Sequence, residues 1–226
     1  MIRLPVCLGL SMNQQHFDMC DSLAISRTDL VKFKTLSCFL AQNPSSLSWR
    51  ARVVPDLNTL VGLNQLATKY INARNSVVQA SIPSTVPDSV VSTILQSFYG
   101  YEEKFTTRMQ TEHQQSMAAE NMVGALLERY IASRIETSGW VWCAGDLVRS
   151  VDFIKQDGDS WLLLQIKNRD NSENSSSAAI RNGTTIQKWF RTFSRTGRTN
   201  WENFPATDMR RLLSENGFKQ FVENYA

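Results

Sequence analysis

From about Ser22 to Tyr130 the apolar residues mostly recur three and four apart, the spacing that gathers them on one face of a helix. Leu23, Leu30, Val31, Phe33, Leu36, Phe39 and Leu40 form one stripe. Leu60, Leu63, Leu66, Ala67, Tyr70 and Ile71 form a second, behind the capping candidate Asn58. Polar breaks separate the segments. Gln42-Asn43-Pro44-Ser45-Ser46 reads as a loop, and Pro83-Ser84-Thr85-Val86-Pro87-Asp88 closes one segment before Asp88 caps the next helix. A further helix is expected to begin near Ser116, to bury Met122, Val123, Leu126, Leu127, Tyr130, Ile131 and Ile135, and to end before Gly139.

The period changes after Gly139. Trp140-Val141-Trp142-Cys143, residues 147–154 and residues 161–166 are short aromatic or β-branched runs, punctuated by Gly145-Asp146 and Asp157-Gly158-Asp159. They predict a small sheet. Residues 180–193, with Trp189, Phe190 and Phe193, again read as a helix, and residues 209–225 as a C-terminal helical segment with Gly217 as a candidate break. Helices, then strands, then helices argue for an α+β (mixed α/β) fold: a small central sheet flanked by helices, with an N-terminal helical region. The division expected is a mainly helical accessory region over 1–110 and a sheet-bearing region over 111–226.

Composition narrows the classes. A chain of 226 residues with 42% hydrophobic and 20% charged residues fills the core of one domain with a sizeable accessory segment, which excludes disorder for most of it. No apolar run approaches the ~18 residues of a membrane span, so no membrane partner is expected. The apolar start, Met1-Ile2-Arg3-Leu4-Pro5-Val6-Cys7, runs into Asn13-Gln14-Gln15-His16 without a cleavage site, which reads as cytosolic. Cys7, Cys20, Cys38 and Cys143 contain no C-x-x-C pair, and His16 and His113 lie at no ligand spacing from them, so neither a structural zinc nor a disulfide framework is expected. The net charge of +3 permits an acidic partner without specifying one.

Chemistry concentrates after residue 150. If Gly158-Asp159 is a two-residue turn, Asp152 stands opposite Gln165; if Asp157-Gly158 is the turn, it stands opposite Leu163. Side chains alternate along a strand, so in either register Asp152, Gln165 and Lys167 share a face while Ile166 points to the other. An aspartate, a second oxygen donor and a lysine on one strand pair suit phosphodiester hydrolysis assisted by Mg²⁺, which takes oxygen ligands and keeps waters, beside an ammonium that offsets phosphate charge. The plain alternative is a hairpin whose solvent face mixes Asp, Gln and Lys. Beyond Lys167, residues 168–177 contain no apolar side chain, including Asn168, Arg169, Asp170, Asn171 and Asn174. Residues 174–201 contain no acidic residue and carry Arg181, Lys188, Arg191, Arg195 and Arg198 among Trp189, Phe190, Phe193 and Trp201. Arginine forks bind phosphates or guanine edges and asparagine pairs with adenine edges, so the segment fits a surface that reads duplex DNA. Alone, it would equally fit a solvated loop and a basic amphipathic helix.

Asp152 with Gln165-Ile166-Lys167, preceded by a helix bearing Gly124-Ala125-Leu126-Leu127-Glu128, resembles the PD-(D/E)xK nuclease core. More closely, the string from Gln165 through Asn168-Arg169-Asp170-Asn171-Ser172-Glu173-Asn174-Ser175, with Arg181-Asn182-Gly183-Thr184, resembles the SinI-type type II restriction endonucleases, which cut GGWCC sequences. The resemblance implies a hydrolase of a bacterial, cytoplasmic restriction-modification system. It would be a Mg²⁺-dependent homodimer that cuts both strands of double-stranded DNA at a short palindromic, GGWCC-like site. Residues 111–226 would then be the nuclease core with a DNA-recognition loop and C-terminal helices, and 1–110 would serve dimerisation or DNA contact. Asp152, Gln165 and the Ile166 backbone carbonyl would hold the metal and Lys167 would position water. Arg169, Asp170, Asn171, Asn174, Arg181, Asn182, Lys188, Arg191, Arg195 and Arg198 would contact DNA.

Two positions depart from the superfamily pattern. Val151 replaces a proline that shapes backbone, and Gln165 replaces a carboxylate, removing one negative charge from the metal site. Glu128, on the preceding helix, is the first candidate to supply that charge, with Glu120 and Glu173 in reserve; equally, Glu128 would pair at the surface with Arg129 or Arg134. A catalytically inactive DNA-binding protein on a nuclease-like scaffold and a DNA-repair or junction nuclease are the competing readings.

Overall fold

Ser26 opens the first long helix of the computed structural model, which describes residues 14–81, 84, 86–170 and 183–225. Its hydroxyl accepts from the Asp29 N–H and donates to the Asp29 carboxylate, satisfying a free helix-start donor. After a short α1 (Gln14–Asp21), this α2 (Arg27–Gln42) buries Phe33, Leu36, Phe39 and Leu40, the stripe read from the sequence. Its companion α3 (Leu60–Asn75) is capped by Thr59, whose hydroxyl accepts from Gly62 N–H at 3.1 Å. Asn58 does not cap: its backbone and amide nitrogens both donate to Asp56. Helix α3 buries Leu63, Leu66, Ala67 and Tyr70, while Leu60 in the first turn stays 45% exposed. Gly62 is required by close approach, because a Cβ there would lie 2.0 Å from the Asp56 carbonyl oxygen.

The chain divides into two compact units, residues 1–76 with 128–226, and residues 77–127. The second holds α4 (Ser89–Tyr99), capped by the Asp88 carboxylate as expected, and most of α5 (Glu103–Ile135). Helix α5 starts thirteen residues before Ser116. Its early turns are rich in Glu, Lys, Arg, Gln and Met, good helix formers that leave no apolar period to read.

In the first unit the end of α5 leads through a 3₁₀ turn (Glu136–Ser138) and Gly139, at φ 88°, into the sheet. Four strands lie in the order β1 (Val141–Trp142), β2 (Phe153–Asp157), β3 (Ser160–Arg169), β4 (Ile186–Thr192). The first two pairings are antiparallel and β3–β4 is parallel. Two expectations are corrected here. Residues 147–152 are not strand: Asp146 and Ser150 take left-handed conformations, φ 52° and 56°, turning the chain so that Leu147, Val148 and Val151 are buried from a loop. Residues 186–192 are a strand, not a helix. Trp189, Phe190 and Phe193 fit helical spacing, but Ile186, Trp189 and Thr192 are residue types that suit a pleated surface, and the open edge of β3 supplies the pairing.

Ile166 and Trp189 are register partners and both are buried; Trp189 packs on Trp201 and Phe204, and Trp201 on Tyr130 of α5. The last helix, α6 (Glu215–Tyr225), runs unbroken through Gly217 and adds Phe218 against Tyr130. At the start of β3, Trp161 packs edge-on against Phe39 and donates to Gln42 at 2.8 Å, so α2 covers the sheet face to which Trp161, Gln165 and Lys167 belong.

Glu136 ties these elements together. It accepts from both terminal nitrogens of Arg74 on α3 at 2.7 and 2.8 Å, from Lys32 on α2 at 2.6 Å and from the Trp142 N–H on β1 at 3.1 Å. Burial alone would raise its pKa, but the bonds and charges of Arg74 and Lys32 outweigh burial and hold it below the ordinary value. A depressed folded pKa contributes stability above the unfolded value of about 4.3 and loses it as pH falls through the folded one. Glu136→Gln should therefore cost on the order of 3 kcal/mol at pH 7, with the gap to wild type shrinking as pH drops below about 4. Urea denaturation across that range measures it, and a gap equal at pH 7 and pH 3 would contradict the assignment.

Candidate functional site

Asp152 sits one residue before β2, held on both sides of its peptide. Its carbonyl accepts from Cys143 N–H at 2.8 Å, and its N–H donates to the Leu164 carbonyl at 2.9 Å. The turn is Gly158-Asp159, with Asp157 opposite Ser160 and Phe153 opposite Leu164, so the register carried one step further sets Asp152 across from Gln165. The first of the two registers considered is the one adopted. Parallel pairing then aligns Gln165 with Lys188 and Lys167 with Phe190. Asp152, Gln165 and Lys188 thus form one row across three strands, and Lys167 is the next residue along β3 on the same face. The Asp152 carboxylate is oriented by the Ile166 N–H, which donates to Oδ2 at 2.6 Å.

Glu128 joins this face from α5. Its Oε2 accepts from the Trp142 indole N–H at 2.9 Å. Neither arginine considered as a surface partner bonds to it, although the Arg129 charge lowers its pKa. Arg129 donates to the Ala73 and Ser76 carbonyls and lies over the Trp142 ring at 4.9 Å, and Arg134 lies over Tyr130 at 5.5 Å. Burial pushes the Glu128 carboxyl up to about 8, the Asp152 charge adds to the rise, and the Trp142 bond only partly offsets them. Burial also raises Asp152, to about 6, against the pull of the Ile166 N–H and of Lys167. The neighbouring Cys143 thiol is raised well above its usual range by burial and by the same carboxylates. The site carries more negative charge than its protein surroundings neutralise.

Gln165 is 3% exposed, and its Oε1 has no donor among the described residues; only the Trp140 indole nitrogen shares that condition among buried side chains. An orphaned amide oxygen beside two carboxylates is a donor set for a hard cation. Among the described residues no three His, Cys, Asp or Glu side chains gather as ligands, so a cation here would need Gln165 or a backbone oxygen to complete its protein shell. Asp146, which the sequence reading did not single out, raises the pKa of both carboxylates while pairing at 3.4 Å with exposed Arg50. Trp142 was likewise missed. Its place beside Trp140 in an aromatic run signalled a strand, not an anchor for Glu128.

The other candidates scatter. Arg169 is exposed at the end of β3. Asp170 braces the turn after β4, accepting from Ser194 N–H at 2.8 Å. Arg191 is occupied: it donates to Asn168 at 3.0 Å and to Glu215 at 2.5 Å and lies over Phe218, fastening α6 to the sheet. Arg195 and Arg198 are exposed on the turn closed by Phe193 N–H to the Arg198 carbonyl. Glu120 is exposed on α5 in the second unit. Asn171, Glu173, Asn174, Arg181 and Asn182 lie outside the described residues.

A sequence profile of the SinI restriction endonuclease family matches residues 17–226. The chain belongs to the SinI restriction endonuclease family. It is 46% identical over 201 residues to the type II restriction enzyme Eco47I of Escherichia coli, and 44% identical over 198 residues to the type II restriction enzyme SinI of Salmonella infantis. Each alignment spans 86% of both chains. The family resemblance carried by the polar string after Lys167 therefore extends over the helical N-terminal half, and the restriction endonuclease match includes both units.

If the Gln165 amide is held unpaired for a cation, its removal should relieve the metal-free fold. Gln165→Met, of similar length and without polar atoms, should be about 1 kcal/mol more stable than wild type in EDTA by urea denaturation. A loss of stability instead would show that the amide is already satisfied.

Proposed function

We propose that this chain is a Mg²⁺-dependent type II restriction endonuclease on a PD-(D/E)xK core, hydrolysing both strands of double-stranded DNA at a short palindromic, GGWCC-like site. The observation that carries the reading is the row of Asp152 and Gln165 on paired strands, with Lys167 on the same face and the Gln165 oxygen unsatisfied. Family membership supplies the reaction class, and the relatives of that family named above are type II restriction enzymes.

Asp152, the Gln165 side chain and the Ile166 carbonyl would hold Mg²⁺, with Glu128 supplying the charge that glutamine lacks. When bound, Mg²⁺ neutralises phosphate charge and makes water a better nucleophile. The Ile166 N–H keeps the Asp152 carboxylate in one orientation, and the Trp142 indole does the same for Glu128. Lys167 places an ammonium where the attacking water and the scissile phosphate meet, stabilising charge that grows as water adds and the phosphorus–oxygen ester bond breaks. Arg169, with Arg181 and Asn171 outside the described residues, is assigned to base reading; Lys188, Arg195 and Arg198 are assigned to phosphate contact. A palindromic site offers two equivalent half-sites to a chain with one catalytic constellation, so the active form is a homodimer.

The neutral Gln165 favours one competitor, a DNA-binding protein that has lost its metal site. Plasmid DNA separates the readings. The enzyme gives discrete fragments with Mg²⁺ and none with EDTA, the binder gives retardation and no fragments in either, and a junction nuclease nicks by structure without a fixed pattern. Asp152→Ala and Lys167→Ala should each abolish cleavage while retaining site-specific binding; full cleavage by either would overturn the assignment. Arg169→Ala, compared on the site and on single-base variants with Ca²⁺ in place of Mg²⁺, should lose about 1–3 kcal/mol of binding at one base pair. Equal loss on every sequence would make Arg169 a phosphate contact.

A further inference from the structure

The unit formed by residues 77–127 holds a helical hairpin whose apolar side chains go largely uncovered. Helix α4 contains no charged residue, and none of its eleven residues is buried. Val91, Ile94 and Phe98 stand at positions i, i+3 and i+7, one face of the helix, and are 44%, 44% and 82% exposed. Gly100, at φ 72°, ends α4 and the chain turns back within three residues into α5, whose first turns expose Phe105 and Met109. Such a helix is marginal in water at this length, because amphipathic helices are held chiefly by burial of their apolar face. Leaving several large apolar side chains in contact with water is the mark of an interaction surface.

The chemistry of the face selects its occupant. Duplex DNA needs cations along its phosphates, and α4 offers none. The charges beside the α5 apolar pair, Arg108 and Glu112, are opposite in sign and bonded to each other at 2.6 Å. An identical face laid against this one by a twofold rotation meets apolar side chains at the centre and, at the rim, charges of both signs, Glu102, Glu103, Lys104, Arg108 and Glu112, of which Lys104–Glu102 and Arg108–Glu112 are paired, the self-complementarity that a twofold interface requires. We propose that α4 and the first turns of α5 are the dimerisation surface, pairing with the same hairpin of a second copy of this chain. The choice of a second copy rests on the two-strand cleavage reading, which needs two catalytic centres; the exposed apolar face stands independently of it.

The test uses the full chain without DNA or metal. Sedimentation equilibrium of wild type should give twice the 25.7 kDa chain mass. Ile94→Glu combined with Phe98→Glu should weaken association at least 100-fold while leaving the far-ultraviolet circular dichroism unchanged, since both side chains face solvent in a single chain. The matching double lysine variant should also be monomeric, and a one-to-one mixture of the two should recover the dimer. A monomeric wild type overturns the proposal, whatever else the hairpin then binds, and so does a glutamate variant that dimerises like wild type. Should either variant lose helicity, hydrogen exchange of wild type decides. Amides of residues 89–112 that gain protection with protein concentration support the interface; protection independent of concentration overturns it. A wild type that dimerises through this hairpin and cuts no DNA would leave the interface standing and remove the nuclease reading.

Discussion

The pairing register of β2 on β3 decides what faces Asp152, and through it the composition of the site. Gly158 takes φ 58° at the first position of a two-residue turn, a conformation that glycine adopts without strain. From that turn the ladder counts back, pair by pair, to Asp152 and Gln165. A slip of one residue would exchange the faces of β3, sending Gln165 and Lys167 to the side where Ile166 now meets Trp189. The large apolar partners on that side, joined to Tyr130 through Trp201, make such a slip costly. Core packing on one face thus secures the register of the polar row on the other.

What the register assembles is electrostatically unfavourable. Glu128 and Asp152 are both driven toward protonation by burial, and the Gln165 oxygen goes without a donor. Proteins keep such arrangements at functional sites because the surrounding fold is stable enough to hold them. Here that support is nearby. Glu136, eight residues after Glu128 in sequence, binds α2, α3 and β1 through four donors and fixes Trp142, the residue that orients Glu128. One carboxylate of the same segment is therefore satisfied and structural, while the other is buried near the Asp152 charge and driven toward protonation.

Much of this was legible in the sequence where a single periodicity governed. The stripe from Phe33 to Leu40, the cap at Asp88 and the shared face of Asp152, Gln165 and Lys167 follow from spacing alone. Legibility failed where two periods fit the same residues. Trp189, Phe190 and Phe193 sit at helical intervals, and only the open edge of β3 makes residues 186–192 a strand. It failed again where no period existed, as in the polar first turns of α5, and where a partner is remote in sequence. Nothing near Glu128 announces that Trp142 will bond it, nor does the segment around Arg191 show that Glu215 will occupy its guanidinium. The family itself was readable because the string after Lys167 is contiguous and needs no folding to be seen.

In the function proposed, Gln165, despite its neutral amide, completes a cation site with Asp152. Crystals of the protein soaked in Mn²⁺ and measured for anomalous scattering test it most directly. The expected peak lies within ligand distance of the Asp152 carboxylate and the Gln165 side-chain oxygen, about 2.2 Å from each, with Glu128 in or next to the shell. A well-ordered peak elsewhere, or one at Asp152 with the Gln165 oxygen turned away from it, would contradict the claim.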